Sequence, residues 1–517
     1  MPVSDEREWS ECMKKSILKR FWSYIGRYKM NLIGVFICSL FSNTLLIFAP
    51  LVTGKAIDKI IGPENVDFNG LIPMILILLI LYLISSLFQW LMVILSNVSA
   101  SQITKDIRKD AFDHLNTLPL KFFDRTPHGD TISKLTNDID AISDGLFQGI
   151  TQVLSAVIII AGSFLFMLSI NPFITLVVLI ITPLCFFIAS FIAKQSKRMF
   201  YSQSKTVGEL NGYVEEMIGN QKVVKAFSYE EKSLERFKSI NEELYLWGQK
   251  AQWYSSLTNP TTRFINNIAY VAVTVIGGLL AVAGHLSVGN IASFITYSNQ
   301  FAKPINEITA LSSQIQAAFA SIERIFALMD EESETKDNEL AKVMKNPEGA
   351  VEFKNVSFSY EPGVPLIENL NLSVKPTNMI AIVGPTGSGK TTLVNLIMRF
   401  YNINSGNIMI DRDSIYNITR ESLRQSIGMV LQESWLFKGS VAENIAYGKQ
   451  DASMEDIIHA AKESMAHSFI KRLPKGYETE ISEDGGNLSQ GQKQLLTITR
   501  VMLMNPSILI LDEATSN

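Results

Sequence analysis

The sequence predicts a multidomain chain: an all-helical membrane domain of six spans, followed by an α/β P-loop nucleotide-binding domain. Three observations carry this. Four long stretches before residue 310 hold no Asp, Glu, Lys or Arg. Residues 384–391 read Gly-Pro-Thr-Gly-Ser-Gly-Lys-Thr, a complete phosphate-binding loop. Residues 507–511 form an apolar run that ends in Asp512-Glu513.

The bulk numbers bound the rest. A chain of 517 residues is long enough for two or more domains, and 47% hydrophobic residues is high for a soluble protein. A net charge of −4 offers no footing for nucleic acid. Cys12, Cys38 and Cys185 stand far apart, two of them in apolar runs, so the spacing gives neither a disulfide framework nor a metal site. The first apolar stretch starts near residue 31, after a segment with both signs of charge, which is not the pattern of a cleavable signal peptide.

The charge gaps run from Lys29 to Lys55, Asp67 to Lys105, Asp144 to Lys194 and Arg263 to Lys303. A spanning helix needs about 20 apolar residues. The first two gaps hold one span each, near 31–52 and 71–95. The third is too long for one helix and carries the turn signal Asn171-Pro172, which splits it into 148–169 and 173–193. The fourth is split by Gly284-His285-Leu286-Ser287 into 264–283 and 288–308. This gives a membrane domain over 1–328, with helical periodicity continuing past membrane depth in 106–118 and 207–245.

Lys and Arg set the orientation. The leading segment holds Lys14, Lys15, Lys19, Arg20, Arg27 and Lys29, and the long loops 101–144 and 194–263 are rich in both. Of the alternate loops, 53–69 has only Lys55 and Lys59, and the others have neither residue type. The amino terminus, the two long loops and everything after residue 310 are expected in the cytoplasm, with the spans in the cell membrane. The acidic run 330–337 reads as a solvated linker within 329–348.

Residues 349–517 switch to short strands, turns and helices. The apolar, strand-like run Met379–Val383 leads into the loop, and a helical run follows it. Gly384, Pro385, Thr386, Gly387, Ser388 and Gly389 let the backbone wrap phosphates. Lys390 reaches the β- and γ-phosphates, the Thr391 hydroxyl holds Mg²⁺, and Thr392 continues into the helix whose positive end faces the anion. This pattern binds a nucleoside triphosphate. The run 507–511 is expected as a buried parallel strand. Asp512 at its tip would hold Mg²⁺ through water, and Glu513 would polarise the attacking water. Ser489 and Gln492 have capping-box spacing, so a helix is expected from there to about Met504.

The order of these parts resembles an ABC transporter of the exporter type, a half-transporter with its membrane domain ahead of its nucleotide domain. The resemblance covers nearly the whole chain. Leu488-Ser489-Gln490-Gly491-Gln492 is similar to the family signature Leu-Ser-Gly-Gly-Gln, with Gln in the third place. Tyr360 matches the aromatic that stacks on adenine, and Gln432 matches the glutamine that senses Mg²⁺ and water. Residues 118–124 with Gly129-Asp130 resemble the first cytoplasmic loop of such exporters, and 222–227 the second.

The resemblance implies ATP with Mg²⁺ and a second half-transporter, homo- or heterodimeric. Each ATP would lie between the P-loop of one chain and the signature of the other. The substrate would be amphipathic: a drug, lipid or peptide, exported rather than imported. A nucleotide-gated channel, a regulatory or non-catalytic partner, and an inactive fragment are the other readings. The family pattern continues past Asn517 with a D-loop aspartate and a switch histidine. The chain is therefore expected to be a truncated form, active only when extended by about 60–80 residues.

The topology is open to a direct test. Cysteines introduced as Lys15→Cys, Thr126→Cys and Glu230→Cys should react only with reagents that enter the cytoplasm. Glu64→Cys and Leu286→Cys should react from outside. External labelling of Thr126→Cys would overturn the six-span arrangement.

Overall fold

The computed structural model describes residues 17–60, 66–385, 387–431, 434–482 and 485–512. The chain forms two compact units: Met1–Asp113 with Thr131–Asp330, and His114–Asp130 with Glu331–Asn517.

The first half of the chain is helical. It contains α1 (17–27), α2 (Lys29–Ile57), α3 (Phe68–Leu115), α4 (Leu120–Arg125), α5 (His128–Ser133) and α6 (Ile139–Gln148). It continues with α7 (Leu154–Ile170), α8 (Pro172–Gly219), α9 (Gln221–Ala226), α10 (Glu230–Val282) and α11 (Val288–Met329). Two π-helical turns, Lys134–Asp138 and Gly149–Val153, join α5 to α7. Among the described residues, four helical runs are long and apolar enough to cross a membrane: Lys29–Ile57, Phe68–Leu115, His128–Ile170 and Arg263–Val282.

The helices outrun the bilayer. At 1.5 Å per residue, the 48 residues of α3 extend for about 72 Å. Pro50, Pro73, Pro183, Pro260 and Pro304 lie inside α2, α3, α8, α10 and α11. In water an interior proline would stop such a helix. At Pro50 and Pro73, inside runs long and apolar enough to span, no water can take the freed carbonyl, and staying helical satisfies the most backbone groups. α3 presents Leu79, Leu83, Leu87 and Trp90 outward, as a lipid-facing surface does.

The break expected at Asn171-Pro172 is a single residue. Asn171 is extended, and its side chain accepts from the amides of Phe173 and Ile174 at 3.0 and 3.1 Å, capping α8. The start of α11 is tied to the end of α2. Asp58 accepts from the Ser287 hydroxyl and the Gly289 amide, both at 2.7 Å. The helices touch at glycine: a Cβ on Gly289 would lie 2.0 Å from the Gly54 carbonyl oxygen.

The nucleotide unit holds β1 (Val351–Phe358), β2 (Ile367–Val374), β3 (Ser405–Ile410), β4 (Asp413–Ser414), β5 (Ile427–Val430), β6 (Gly439–Ser440), β7 (Glu480–Ile481) and β8 (Ile508–Leu511). Its helices are α12 (Lys390–Ile397), α13 (Arg420–Ser426), α14 (Val441–Ala446), α15 (Met454–Glu463), α16 (His467–Ile470) and α17 (Gln490–Met504). One antiparallel sheet runs β2-β1-β3-β4, and β5 pairs with β8 in parallel, Val430 opposite Leu511.

Two expectations are corrected here. Met379–Val383 is not a strand: it joins no ladder among the described residues, and Met379 and Val383 are exposed. Apolar composition favours a strand only where a neighbouring strand takes up its amides and carbonyls. Likewise, β8 is parallel as expected but not buried: Ile508 and Ile510 are half-buried, and Leu509 and Leu511 are exposed.

The acidic run after residue 330 is docked rather than solvated throughout. Asp337 accepts from Arg399 at 3.0 Å and Arg420 at 2.8 Å, and Glu334 from Arg424 at 3.0 Å. The Arg420 side chain is only 9% exposed and also donates to the Thr335 carbonyl and hydroxyl. Three arginines distant in sequence neutralise a charge run that would repel itself if read alone.

Arg420→Ala should therefore destabilise the nucleotide unit by about 2 kcal/mol, a buried-pair loss discounted because its acidic partners keep some water. Lysine should not restore the stability, lacking the planar fork. Urea unfolding followed by tryptophan fluorescence reads the effect, and an unchanged midpoint would refute it.

Candidate functional site

Gly387 and Gly389 have φ of +83° and +87°, a left-handed conformation that side chains rarely adopt. Gly389 is the N-cap of α12 and brings no side chain to it, so the first amides of α12 are left for a ligand. The Lys390 ammonium folds across the loop and donates to the carbonyls of Gly384 at 2.9 Å and Pro385 at 3.0 Å. Gly384, Pro385, Gly387 and Ser388 are exposed. The result is a concave strip of amides and one cation, open to solvent and suited to a polyphosphate.

Thr391 ties this loop to β8. Its hydroxyl donates to Asp512 Oδ2 at 3.2 Å, and the Asp512 amide donates to the Val430 carbonyl at 3.0 Å. The parallel β5–β8 register thus holds a carboxylate beside a P-loop hydroxyl. An all-oxygen donor pair of this kind fits Mg²⁺, which takes few protein ligands and completes its shell with water and phosphate. Among the described residues, no group of three or more His, Cys, Asp or Glu offers a denser metal site. Thr386, Gln432 and Glu513 lie outside the described residues. The strands leading to Gln432 and Glu513, β5 and β8, end side by side.

Tyr360 follows β1 but is not a core aromatic. It is exposed, its hydroxyl donates to Thr392 at 3.1 Å, and Asn395 donates to it at 3.4 Å. Its ring stands edge-on to Phe358 and Tyr401, both at 4.9 Å. One face of a ring fixed beside the P-loop helix can receive a purine.

The signature stretch starts α17 with a complete capping box. Ser489 Oγ accepts from the Gln492 amide at 3.3 Å, and Gln492 Oε1 accepts from the Ser489 amide at 2.9 Å. Leu488 is buried under the cap, while Ser489, Gln490 and Gly491 are exposed. Among the described residues, no hydrogen bond joins this cap to residues 384–392. The structure brings Tyr360, Lys390, Thr391, Thr392 and Asp512 together and leaves the signature as a separate exposed surface. Sequence reasoning missed Tyr401 and Asn395. The helical spacing of Asn395 from Thr391 and Thr392 was a readable signal, whereas Tyr401 carried none.

An ATP-type phosphate cradle behind long apolar helices in one chain is the composition of a membrane transport ATPase. The chain belongs to the ABC transporter family: residues 32–305 match the ABC transporter transmembrane region and residues 367–516 the ABC transporter domain. It is an integral membrane protein of the exporter type, with an ATP hydrolase coupled to transport. It is 41% identical to the uncharacterised ABC transporter ATP-binding protein YfiC of Bacillus subtilis, over 97% of this chain and 83% of that protein. It is 40% identical to a fatty acid ABC transporter ATP-binding/permease protein of Mycobacterium tuberculosis, over 91% of this chain and 74% of that one. A solved bacterial Atm1-family ABC exporter with ATP bound superposes with a TM-score of 0.74 at 26% identity, covering 94% of this chain and 86% of that one.

Proposed function

We propose that this chain is one half of an exporter that uses ATP to move an amphipathic substrate out of the cytoplasm across the cell membrane. The observation that carries the reading is the joining of Tyr360, Lys390, Thr391 and Asp512 at one edge of a domain that shares its chain with long apolar helices. Residues 1–328 act as the membrane domain, 329–348 as the linker and 349–517 as the nucleotide domain. Among drugs, lipids and peptides, the mycobacterial relative's name favours a fatty-acid-like molecule.

Two halves pair head to tail, so that each ATP lies between the P-loop of one and the Ser489–Gly491 surface of the other. The exposed cap of α17 supports this: its amides and the Ser489 hydroxyl have no use for phosphate within their own chain. Lys390 binds the β- and γ-phosphates, and Tyr360 stacks on the base. Thr391, Gln432 and, through water, Asp512 would hold Mg²⁺, which would supply neutralisation of phosphate charge. Glu513 accepts the proton of a water whose oxygen attacks the γ-phosphorus. The bond to the bridging oxygen breaks, leaving ADP and phosphate. Driving a two-state transporter from about 1:99 to 99:1 needs roughly 10⁴-fold tighter binding to the closed state. A charged ligand shared by both halves meets that need because it has its full set of partners only when they close.

Lys390→Ala should lower ATP turnover about a hundredfold or more by removing the cation that meets the phosphates. Glu513→Gln should keep ATP affinity, cut turnover about a thousandfold and retain ATP in a filter-binding assay. Near-normal turnover in Glu513→Gln would remove that residue from the mechanism.

A further inference from the structure

Tyr360 opens the exposed turn 360–366 between β1 and β2, where the backbone alone does not fix a ring. The root of that turn is firm. The Leu366 amide donates to the Phe358 carbonyl at 3.1 Å, and the Ser359 amide donates to Asn404 Oδ1 at 2.9 Å. Phe358 is buried in the same core as Leu396 of α12. From this root the Tyr360 ring rises between two edge-on neighbours, Phe358 with planes at 83° and Tyr401 with planes at 87°. Those rings limit its rotation. Neither fixes its tip.

The tip is held by α12, the helix that carries Lys390 and Thr391. Thr392 and Asn395 lie one turn apart on one face of it. The Asn395 amide nitrogen donates to the Tyr360 oxygen at 3.4 Å, and the Tyr360 hydroxyl donates to Thr392 Oγ1 at 3.1 Å. An amide NH₂ can only donate, so Asn395 leaves the phenol proton for Thr392, and the hydroxyl is used both ways. Among the described residues, the half-buried Asn395 side chain has no other hydrogen-bond partner. It neither faces the phosphate loop nor fills the core. Its one contact is the far end of the ring.

We propose that Asn395 is a positioning residue for nucleotide binding: by holding the Tyr360 hydroxyl on α12, it sets the base-stacking ring at a fixed separation from the phosphate cradle on the same helix. The inference rests on the reading of Tyr360 as the base-stacking ring. A nucleotide meets the site at two ends. Phosphate contacts at Lys390 and Thr391 place the base; stacking then adds affinity only if the ring already stands where the base arrives. A ring ordered before binding spares the ligand the entropy of ordering it. Asn395 thus acts on the base end of ATP through Tyr360 and leaves the chemistry at the γ-phosphate alone.

The test compares ATP with tripolyphosphate, which carries the phosphates without the base, each with Mg²⁺ and the full chain. Asn395→Leu keeps the branched shape and removes the donor. It should raise both the Kd and the KM for ATP about fivefold, the scale of one hydrogen bond and one ordered side chain. Its kcat and its Kd for tripolyphosphate should stay within about twofold of normal, which also shows that the variant is folded. Tyr360→Phe keeps the ring but has no hydroxyl to hold, so it should weaken ATP binding to a similar extent. Adding Asn395→Leu to Tyr360→Phe should bring almost no further loss, because the two changes remove one contact. An unchanged Kd for ATP in Asn395→Leu would overturn the proposal. So would an equal loss of tripolyphosphate affinity, which would place Asn395 in the phosphate cradle, or full additivity with Tyr360→Phe. If Tyr360→Ala binds ATP as tightly as the unmodified protein, the base-stacking reading has failed and the proposal falls with it. If Tyr360→Ala binds weakly while Asn395→Leu binds normally, only the role of Asn395 has failed.

Discussion

A bilayer offers no hydrogen-bond partner to a peptide group, and the rest of this molecule is arranged around that fact. Inside hydrocarbon the chain must stay helical even where Pro50 and Pro73 remove a bond within runs long and apolar enough to span. Chain reversals are confined to short capped corners such as Asn171-Pro172 and the Asp58–Ser287 tie. Once begun, the helices continue well past membrane depth, as the 53 residues of α10 show.

The nucleotide end answers a different constraint, the concentration of phosphate charge. Backbone amides freed by left-handed Gly387 and Gly389, the Lys390 ammonium and the Thr391–Asp512 pair are brought together by loop geometry and by one parallel strand pair. The same charge logic recurs in the linker, where Glu334 and Asp337 are seated on Arg399, Arg420 and Arg424. That cluster does more than hold the linker. Arg399 is also the base from which the chain turns to Tyr401, whose ring meets Tyr360 edge-on, so the acidic run and the Tyr360 ring share one anchor.

What the sequence reveals is what local rules decide. Charge gaps coincide with the four described helical runs long and apolar enough to span, Asn171 marks its own cap, and Ser489 with Gln492 marks the start of α17, because each signal is carried within its own stretch of chain. What it hides depends on distant partners. Met379–Val383 has a strand's composition, but pairing is a property of neighbours, and none of the described residues supplies one. The acidic run looks solvated because its arginines are tens of residues away; Arg420 and Asp337 are separated by 83 positions. Tyr401 and Asp124 are 277 positions apart, and nothing local to either marks the other as its partner. In the P-loop half of the site, Lys390, Thr391 and Asp512 were legible from the sequence and meet in the structure, whereas the strand expected before the loop does not form among the described residues. The signature half was legible as a helix cap, and only the resemblance gave it a role.

In the proposed function, ATP hydrolysis drives an amphipathic molecule across the bilayer. The most direct measurement places the complete protein in phospholipid vesicles with the nucleotide domains outward and follows a fluorescent fatty acid. With Mg²⁺ and ATP outside, the probe should accumulate inside the vesicle, in step with phosphate release, and should not with ADP. Hydrolysis that continues with no movement of any lipid, drug or peptide probe, or equal movement with ADP, would contradict it.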